Sequence, residues 1–308
     1  MIDATQFKVR GRTVPAELCG ELRESSLSDA DEVLQQRLQQ DGYLFLRSAL
    51  DQDEVLAARE EIFQRMVDVD EVASPAIDGI ATGRSCRADV ADDLTAFWKS
   101  VSEGAAIRQL AHGKRTREVM DRVYGEASRP QDYMWIRPRK TGWSTGLHYD
   151  HPFFVQNSDR VFTAWIPLGE IPLCDGPLML VEGSNEFDDL ISGMRAKDDD
   201  VEKSPEFAKE VAFFSEEWDR DAIEFAEERE SRLLSEDFDV GDLLVFKMTA
   251  LHGSLDNHSS IGRVRLSCDV RFQPASVPID ERYFGPNPSG QEGTGYASMN
   301  SCKPLPEQ

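Results

Sequence analysis

The sequence is poor in cysteine, in histidine and in positive charge, and it has no long apolar run. Five cysteines, Cys19, Cys86, Cys174, Cys268 and Cys302, are scattered through 308 residues, and none stands in a CxxC spacing. That excludes a zinc-finger motif, and an odd, unclustered set is the pattern of reduced thiols in a cytoplasmic protein rather than of a disulfide frame. No stretch approaches the roughly 18–20 apolar residues of a membrane span. The first residues also lack the basic-then-apolar pattern of a secretion signal. Lys and Arg number 34 against 57 Asp and Glu, a formal net charge of −23. A surface this acidic repels phosphate backbones, which argues against nucleic acid as a partner. What remains is a chain long enough for a sizeable buried core, with no sequence signal for an oligomeric state.

Against the scarcity of histidine, one short stretch is dense in metal-binding side chains: Gly146-Leu147-His148-Tyr149-Asp150-His151. Residues i and i+2 of a strand point to the same face, so a strand here sets the His148 imidazole beside the Asp150 carboxylate. A third donor, His252, lies in Thr249-Ala250-Leu251-His252-Gly253-Ser254. Two histidines and one carboxylate on one side of a first-row metal form the facial triad of non-haem iron(II) oxygenases, which leaves coordination positions open. The same donors suit zinc, but no second carboxylate stands in these motifs as the general base of a hydrolase. An anionic co-substrate on such a centre needs a cation at its far end. Arg263 lies eleven residues after His252 at the start of an apolar strand, and a guanidinium grips a carboxylate through two parallel hydrogen bonds. Arg265 falls on the same strand face, and spacing alone does not separate the two.

Along the chain, helical periodicity comes first. Ser28 caps a first helix bearing Val33, Leu34 and Leu38, and Asp41 to Arg47 is a turn with an apolar strand. Residues 51–67 form a second helix with Val55, Leu56, Ile62, Phe63 and Met66 on its apolar face. Residues 94–101 and 105–123 also read as helical. Strand character rises at residues 132–138 and recurs at 160–168, 178–181, 238–247 and 263–272. Residues 185–236 interrupt it with a strongly acidic, helical insertion in which Phe207, Val211, Phe214 and Trp218 recur at helical spacing. That insertion either covers a site or decorates the surface. The tail over 276–308, rich in Pro, Gly and Ser, reads as coil. Helices first and short strands second suit a helical flank on a β-sandwich or barrel, in one domain over residues 1–308.

The ordered set of motifs resembles the phytanoyl-CoA dioxygenase family of iron(II)- and 2-oxoglutarate-dependent oxygenases. It comprises Gln40-Asp41-Gly42-Tyr43-Leu44, His148-Tyr149-Asp150, Thr163-Ala164-Trp165-Ile166-Pro167-Leu168, Asp175-Gly176-Pro177-Leu178 and Gly183-Ser184. It continues through Val240-Gly241-Asp242-Leu243-Leu244-Val245-Phe246, His252-Gly253-Ser254, Asn257 and Arg263. The resemblance implies a mainly β fold with flanking helices, the double-stranded β-helix or cupin-like jelly roll. Its parts would be a helical flank over about 28–125, a core over about 130–275, and the insertion within that core. It implies iron(II) on His148, Asp150 and His252 as the catalytic centre, and 2-oxoglutarate on Arg263, with Trp165, Thr163 and, more loosely, Met134 near the co-substrate. The implied reaction converts O2 and 2-oxoglutarate into CO2 and succinate while a carbon of a small organic substrate is hydroxylated. Desaturation, epimerisation or cyclisation at the same centre is one alternative, and a non-catalytic jelly-roll binding protein is another. Related halogenases carry a small residue in place of the carboxylate ligand, so Asp150 favours hydroxylation.

Two departures bear on the substrate. Gly183-Ser184-Asn185 stands where many members read Gly-Ser-His, and the insertion at 185–236 is long for the family. Arg137, Phe153, Phe154 and Asn257 are the candidate substrate residues. Arg139 and Lys140 read as local salt bridging to the insertion, His151 as a residue facing away from Asp150, and His112 and His258 as surface.

Overall fold

The strands of the second half of the sequence pair into two sheets that share a core. The computed structural model describes residues 6–91, 93–204, 207–213 and 220–308; Phe214 and Trp218 lie outside the described residues. In chain order the strands are β1 (Lys8–Val9), β2 (Arg12–Thr13), β3 (Cys19–Gly20), β4 (Glu24–Ser25), β5 (Tyr43–Leu46), β6 (Ser128–Arg139), β7 (Phe162–Pro167), β8 (Leu178–Val181), β9 (Leu233–Leu234), β10 (Leu243–Lys247), β11 (His252–Ser254) and β12 (Arg265–Pro274). The helices are α1 (Asp31–Asp41), α2 (Gln52–Val67), α3 (Arg87–Val90), α4 (Leu94–Ser102), α5 (Ala105–His112), α6 (Lys114–Tyr124), α7 (Asp188–Arg195), α8 (Asp198–Lys203), α9 (Ala208–Phe213) and α10 (Ala222–Glu228). One sheet runs β4-β5-β10-β7-β12-β6 and the other β11-β8-β9-β3. Neighbours in space are distant in sequence, as the crossovers of a jelly roll require.

The alternation along β12 positions the site. Leu266, Cys268, Val270 and Phe272 point outward into a core shared with Met134 and Ile136 of β6 and with Val55, Ile62, Phe63 and Met66 of α2. By the two-residue period of a strand, Arg265, Ser267, Asp269 and Arg271 then face the other sheet, and all four are buried. Between the sheets, Phe45, Trp165, Leu244 and Phe246 pack against Leu178, Leu180 and Leu234. The outer face of the smaller sheet is covered by the insertion, where Met179 and Val181 meet Val211, Ile223 and Phe225.

Several local expectations shift by a few residues. α1 starts from Ala30 without a side-chain cap, because the Ser28 hydroxyl bonds that of Ser26 at 2.8 Å. α2 is capped as its sequence suggests, the Asp51 carboxylate accepting from the N–H groups of Asp53 and Glu54, a bond worth about 1 kcal/mol. Val33 and Leu56 are 38% and 37% exposed, since Leu34 with Leu38, and Val55 with Ala58 and Ile62, take the buried stripes. The helix expected over 105–123 is two helices, because Gly113 is extended at φ −72° and ψ 173° and serves as the boundary of both. The polar N-terminal segment gives each sheet a short strand, β3 and β4, that its composition does not announce.

The tail is coil with 3-10 turns, yet it is tied down. Buried Arg87, paired with Glu71 at 2.5 Å, donates to the carbonyls of Ser301, Cys302 and Lys303, each at 3.2 Å. The Trp143 indole N–H donates to the Gln308 carbonyl at 2.8 Å. Among the described residues no helix is long and apolar enough to cross a membrane.

Candidate metal centre and its cavity

The three expected donors converge. His148 is not in a regular strand; it forms an isolated antiparallel bridge with His252. The two backbones exchange N–H···O bonds of 2.8 and 3.1 Å. β11, which begins at His252, pairs on its other side with β8. Asp150 follows in a helical turn at φ −78°, ψ −20°, and this turn, rather than a strand pleat, brings its carboxylate back toward the imidazoles. Gly253 is required beside the ligand, because a Cβ there would lie 2.6 Å from the Thr145 carbonyl oxygen.

All three side chains are buried, and their potential ligand atoms lie within 4.8 Å of one another. His148 Nε2 and His252 Nε2 stand 3.8 and 4.0 Å from Asp150 Oδ1. Each imidazole donates from Nδ1 to a carbonyl, His148 to Gly146 at 2.9 Å and His252 to Ala250 at 3.0 Å. Because a carbonyl only accepts, these bonds fix the tautomer that leaves both Nε2 lone pairs for a metal. Burial, then the neighbouring His252, pushes the His148 pKa down to about 3, and burial lowers that of His252 as well. Burial opposes the Asp150 charge, but Arg271 and the two imidazoles outweigh it and hold the carboxyl well below the usual range. At neutral pH the set is therefore two neutral imidazoles and a carboxylate, the donor chemistry of a divalent first-row metal.

Asp150 divides its oxygens between tasks. Oδ1 faces the imidazoles, while Oδ2 accepts from Arg271 Nη2 at 2.6 Å and from the Thr163 hydroxyl at 3.1 Å. Thr163 thus acts on the carboxylate rather than on a co-substrate. Thr163→Val is expected to weaken iron(II) binding about tenfold, read by metal titration; unchanged affinity would show that the hydroxyl bond is idle.

A cavity of about 660 Å³ opens over the cluster, lined by His148 and Asp150 at its floor and by Trp135, Phe153 and Phe154 on its walls. The tail contributes Met299, Asn300 and Lys303, and the insertion contributes Lys209 and Phe213. The Phe213 ring stacks on His148 with centroids 5.0 Å apart, and Lys209 forms an ion pair with Glu292 of the tail. A narrower recess, bordered by His252, Trp165, Ser254, Arg265 and Asp269, shares Arg137 and His148 with the cavity.

The remaining candidates separate. Trp165, Arg137, Phe153 and Phe154 border one or both spaces. Met134 does not: it is fully buried on the opposite face of β6, in the core shared with Cys268 and Val270 of β12. Asn257 is structural. Its amide N–H groups donate to the carbonyls of Arg139 and Arg263 at 2.9 and 2.8 Å, and its carbonyl accepts from the Ser259 N–H at 3.0 Å. Arg263 does not border the recess. It precedes β12 in a loop bridged to Ile80, and its Nη1 donates to Asp175 Oδ2 at 3.0 Å. Arg265, the first residue of β12, borders the recess instead; its Nη1 donates to the Ser267 hydroxyl at 2.8 Å and its Nε has no hydrogen-bond partner among the described residues. Burial, followed by repulsion from Arg137, outweighs Asp269 and lowers its pKa to about 10.

Arg271 and Asp269 were not singled out from the sequence, although the polar alternation Arg265-x-Ser267-x-Asp269-x-Arg271 within an apolar strand was a signal for both. His151 is buried and not a ligand; its Nε2 meets Asp198 of α8 at 2.9 Å. Lys140 donates to the Pro306 carbonyl at 2.6 Å, and His258 meets the Gln6 carbonyl at 3.1 Å. His112 is half-buried rather than on the surface, and burial, aided by Arg108, lowers its pKa from 6.5 to about 4. An unfolded histidine takes a proton near 6.5 while folded His112 resists down to about 4, so falling pH favours the unfolded chain across that window. The metal-free protein is expected to lose thermal stability from pH 6.5 to 4, and His112→Gln to flatten part of that loss. A superimposable melting profile in the variant would place the acid sensitivity elsewhere.

Comparison with known proteins points one way. A family model described as phytanoyl-CoA dioxygenase (PhyH) matches residues 38–264. The chain is 28% identical over 264 residues to 1-deoxypentalenic acid 11-beta-hydroxylase of Streptomyces exfoliatus, covering 81% of this chain and 83% of that protein. It is 28% identical over 294 residues to the enzyme of the same name from Streptomyces arenae, covering 91% and 94%. Among solved structures, the epimerase SnoN in complex with Fe3+, alpha ketoglutarate and nogalamycin RO shares the fold at a TM-score of 0.51. The identity is 18%, over 80% of this chain and 84% of that one.

Proposed function

The chain belongs to the phytanoyl-CoA dioxygenase family, and within it we propose a hydroxylase that places one oxygen atom on an unactivated carbon of a small organic substrate. It is an iron(II)- and 2-oxoglutarate-dependent dioxygenase. The observation that carries the proposal is the convergence of His148, Asp150 and His252 at the floor of a cavity walled by aromatic side chains.

His148 and His252 would hold iron(II) through Nε2 and Asp150 through Oδ1. Bound there with 2-oxoglutarate, iron(II) supplies the means of splitting O2, with succinate and CO2 as by-products. The protein's own part is positional. Gly146 and Ala250 carbonyls orient the imidazoles, and Thr163 with Arg271 orients the carboxylate. We assign the far carboxylate of 2-oxoglutarate to Arg265, which borders the recess and whose Nε has no hydrogen-bond partner among the described residues, with Trp165 beside it. Phe213 of the insertion and Met299, Asn300 and Lys303 of the tail form part of the cavity wall, with the Phe213 ring stacked on His148. Because insertion and tail both wall the cavity, we take the whole chain to work as one domain. Five free cysteines suit a reducing, cytoplasmic setting.

Hydroxylation is favoured over epimerisation or cyclisation by the two relatives named as hydroxylases. Mass analysis of products from a panel of small apolar compounds tests it. The expected product gains one oxygen atom in step with succinate. A product of unchanged composition, or one lacking two hydrogens, would instead assign epimerisation, cyclisation or desaturation.

A further inference from the structure

Positive charge outweighs negative on the inward face of β6 and β12. Arg137, Arg139, Arg265 and Arg271 stand there with Asp269, and around them the cavity adds Asp150 and Glu292 against Lys209 and Lys303 among the described residues, in a chain whose net charge is −23. Iron(II) and the 2-oxoglutarate dianion would cancel each other, so loading the site leaves that surplus in place. Three of these arginines have an occupation. Arg137 Nε donates to Asp269 at 2.6 Å and Arg271 Nη2 to Asp150 at 2.6 Å, while Arg265 borders the recess.

Arg139 has none. It is 6% exposed, and its Nε and Nη1 are buried without a hydrogen-bond partner among the described residues. Among the described residues no carboxylate pairs with it; only the Trp143 ring lies against it, 4.9 Å from the guanidinium carbon to the centroid. Burial, then Arg137 and Arg265, holds its pKa well below the usual arginine range. A guanidinium stripped of water and set beside like charges is strongly disfavoured unless an anion joins it. The side chain lines the same cavity as His148 and Asp150.

We propose that Arg139 is the anchor for a carboxylate on the primary substrate, whose apolar body lies against Trp135, Phe153 and Phe154 between that anchor and the metal ligands. A planar guanidinium fork matches a carboxylate through two hydrogen bonds, and an anchor at one end of the cavity fixes which carbon faces the centre. That the occupant is a substrate rests on the oxygenase reading; that the subsite binds a carboxylate does not.

Calorimetry with matched pairs of cyclic carboxylic acids and their primary carboxamides, adamantane-1-carboxylate among them, tests the subsite. It is run on the metal-free protein and, under nitrogen, on protein holding iron(II) and saturating 2-oxoglutarate. At least one carboxylate is expected to bind about tenfold or more tightly than its own amide in both states. Arg139→Gln should cut that preference to about twofold or less, Arg139→Lys should keep part of it, and Arg263→Gln should behave as wild type. Three results would overturn the proposal: no carboxylate in the panel outbinds its amide, the preference survives in Arg139→Gln, or saturating 2-oxoglutarate abolishes it and so assigns Arg139 to the co-substrate. If Arg139→Gln does not fold, an undiminished preference in Arg139→Lys counts against the two-bond grip. A carboxylate preference without succinate release would sink the oxygenase reading and leave the subsite standing.

Discussion

His148→Ala and His252→Ala are each expected to reduce succinate release from 2-oxoglutarate by about a thousandfold. A bound metal is worth several kcal/mol of barrier, and each 1.36 kcal/mol is tenfold in rate. None of the three imidazoles outside the triad can substitute, because His151 is turned to Asp198 of α8, His258 to the Gln6 carbonyl and His112 to Arg108 at the end of α5. The measurement is succinate formed with iron(II) and O2, with metal content and circular dichroism on the same samples. Retained metal with retained turnover in either variant would remove that histidine from the centre. Loss of the fold in the alanine variants is separated by His148→Gln, which keeps bulk and polarity but a poorer donor and should show the same loss.

Arg265→Leu is expected to raise the 2-oxoglutarate concentration needed for half-maximal turnover by about 10- to 100-fold, the worth of a charge-assisted pair of hydrogen bonds. Arg263→Leu should stay within about twofold, because that side chain is occupied with Asp175 outside the recess. The contrast is the informative part. Both arginines stand on one strand parity after His252, and the family resemblance points to Arg263. In the structure β12 begins at Arg265, opposite Arg139 of β6, so pairing starts one pleat later than the motif spacing suggests. A larger effect from Arg263→Leu than from Arg265→Leu would reverse the assignment.

The metal donors were legible because their chemistry is local: His148 and Asp150 sit two apart, and His252 lies in a Gly-Ser turn of recognisable type. The strands were legible where apolar, β-branched and aromatic residues run together between turns, as in β7, β8 and β10. The cavity's chemistry was harder to read. Arg139 looked like a surface partner for the acidic insertion, since sequence gives a side chain's type but not which sheet face the register assigns to it. Met134 reads as close to the co-substrate, but it stands on the even parity of β6, buried in the core on the side away from the cavity. The tail read as coil, and coil it is. That it walls the cavity depends on long-range ties from Arg87, Trp143 and Tyr283, none of which leaves a periodic trace. The short strands β3 and β4 are two residues each, too few for any period to show.

The central claim is that this chain splits O2 at the His148–Asp150–His252 centre at the expense of 2-oxoglutarate. The most direct measurement is mass spectrometry of succinate formed from 2-oxoglutarate under oxygen-18 gas, with iron(II) and a panel of small carboxylic acids, in wild type and His148→Ala. The account predicts succinate carrying one labelled oxygen in the wild type and none formed by the variant. Unlabelled succinate, or equal yields from both proteins, would contradict it.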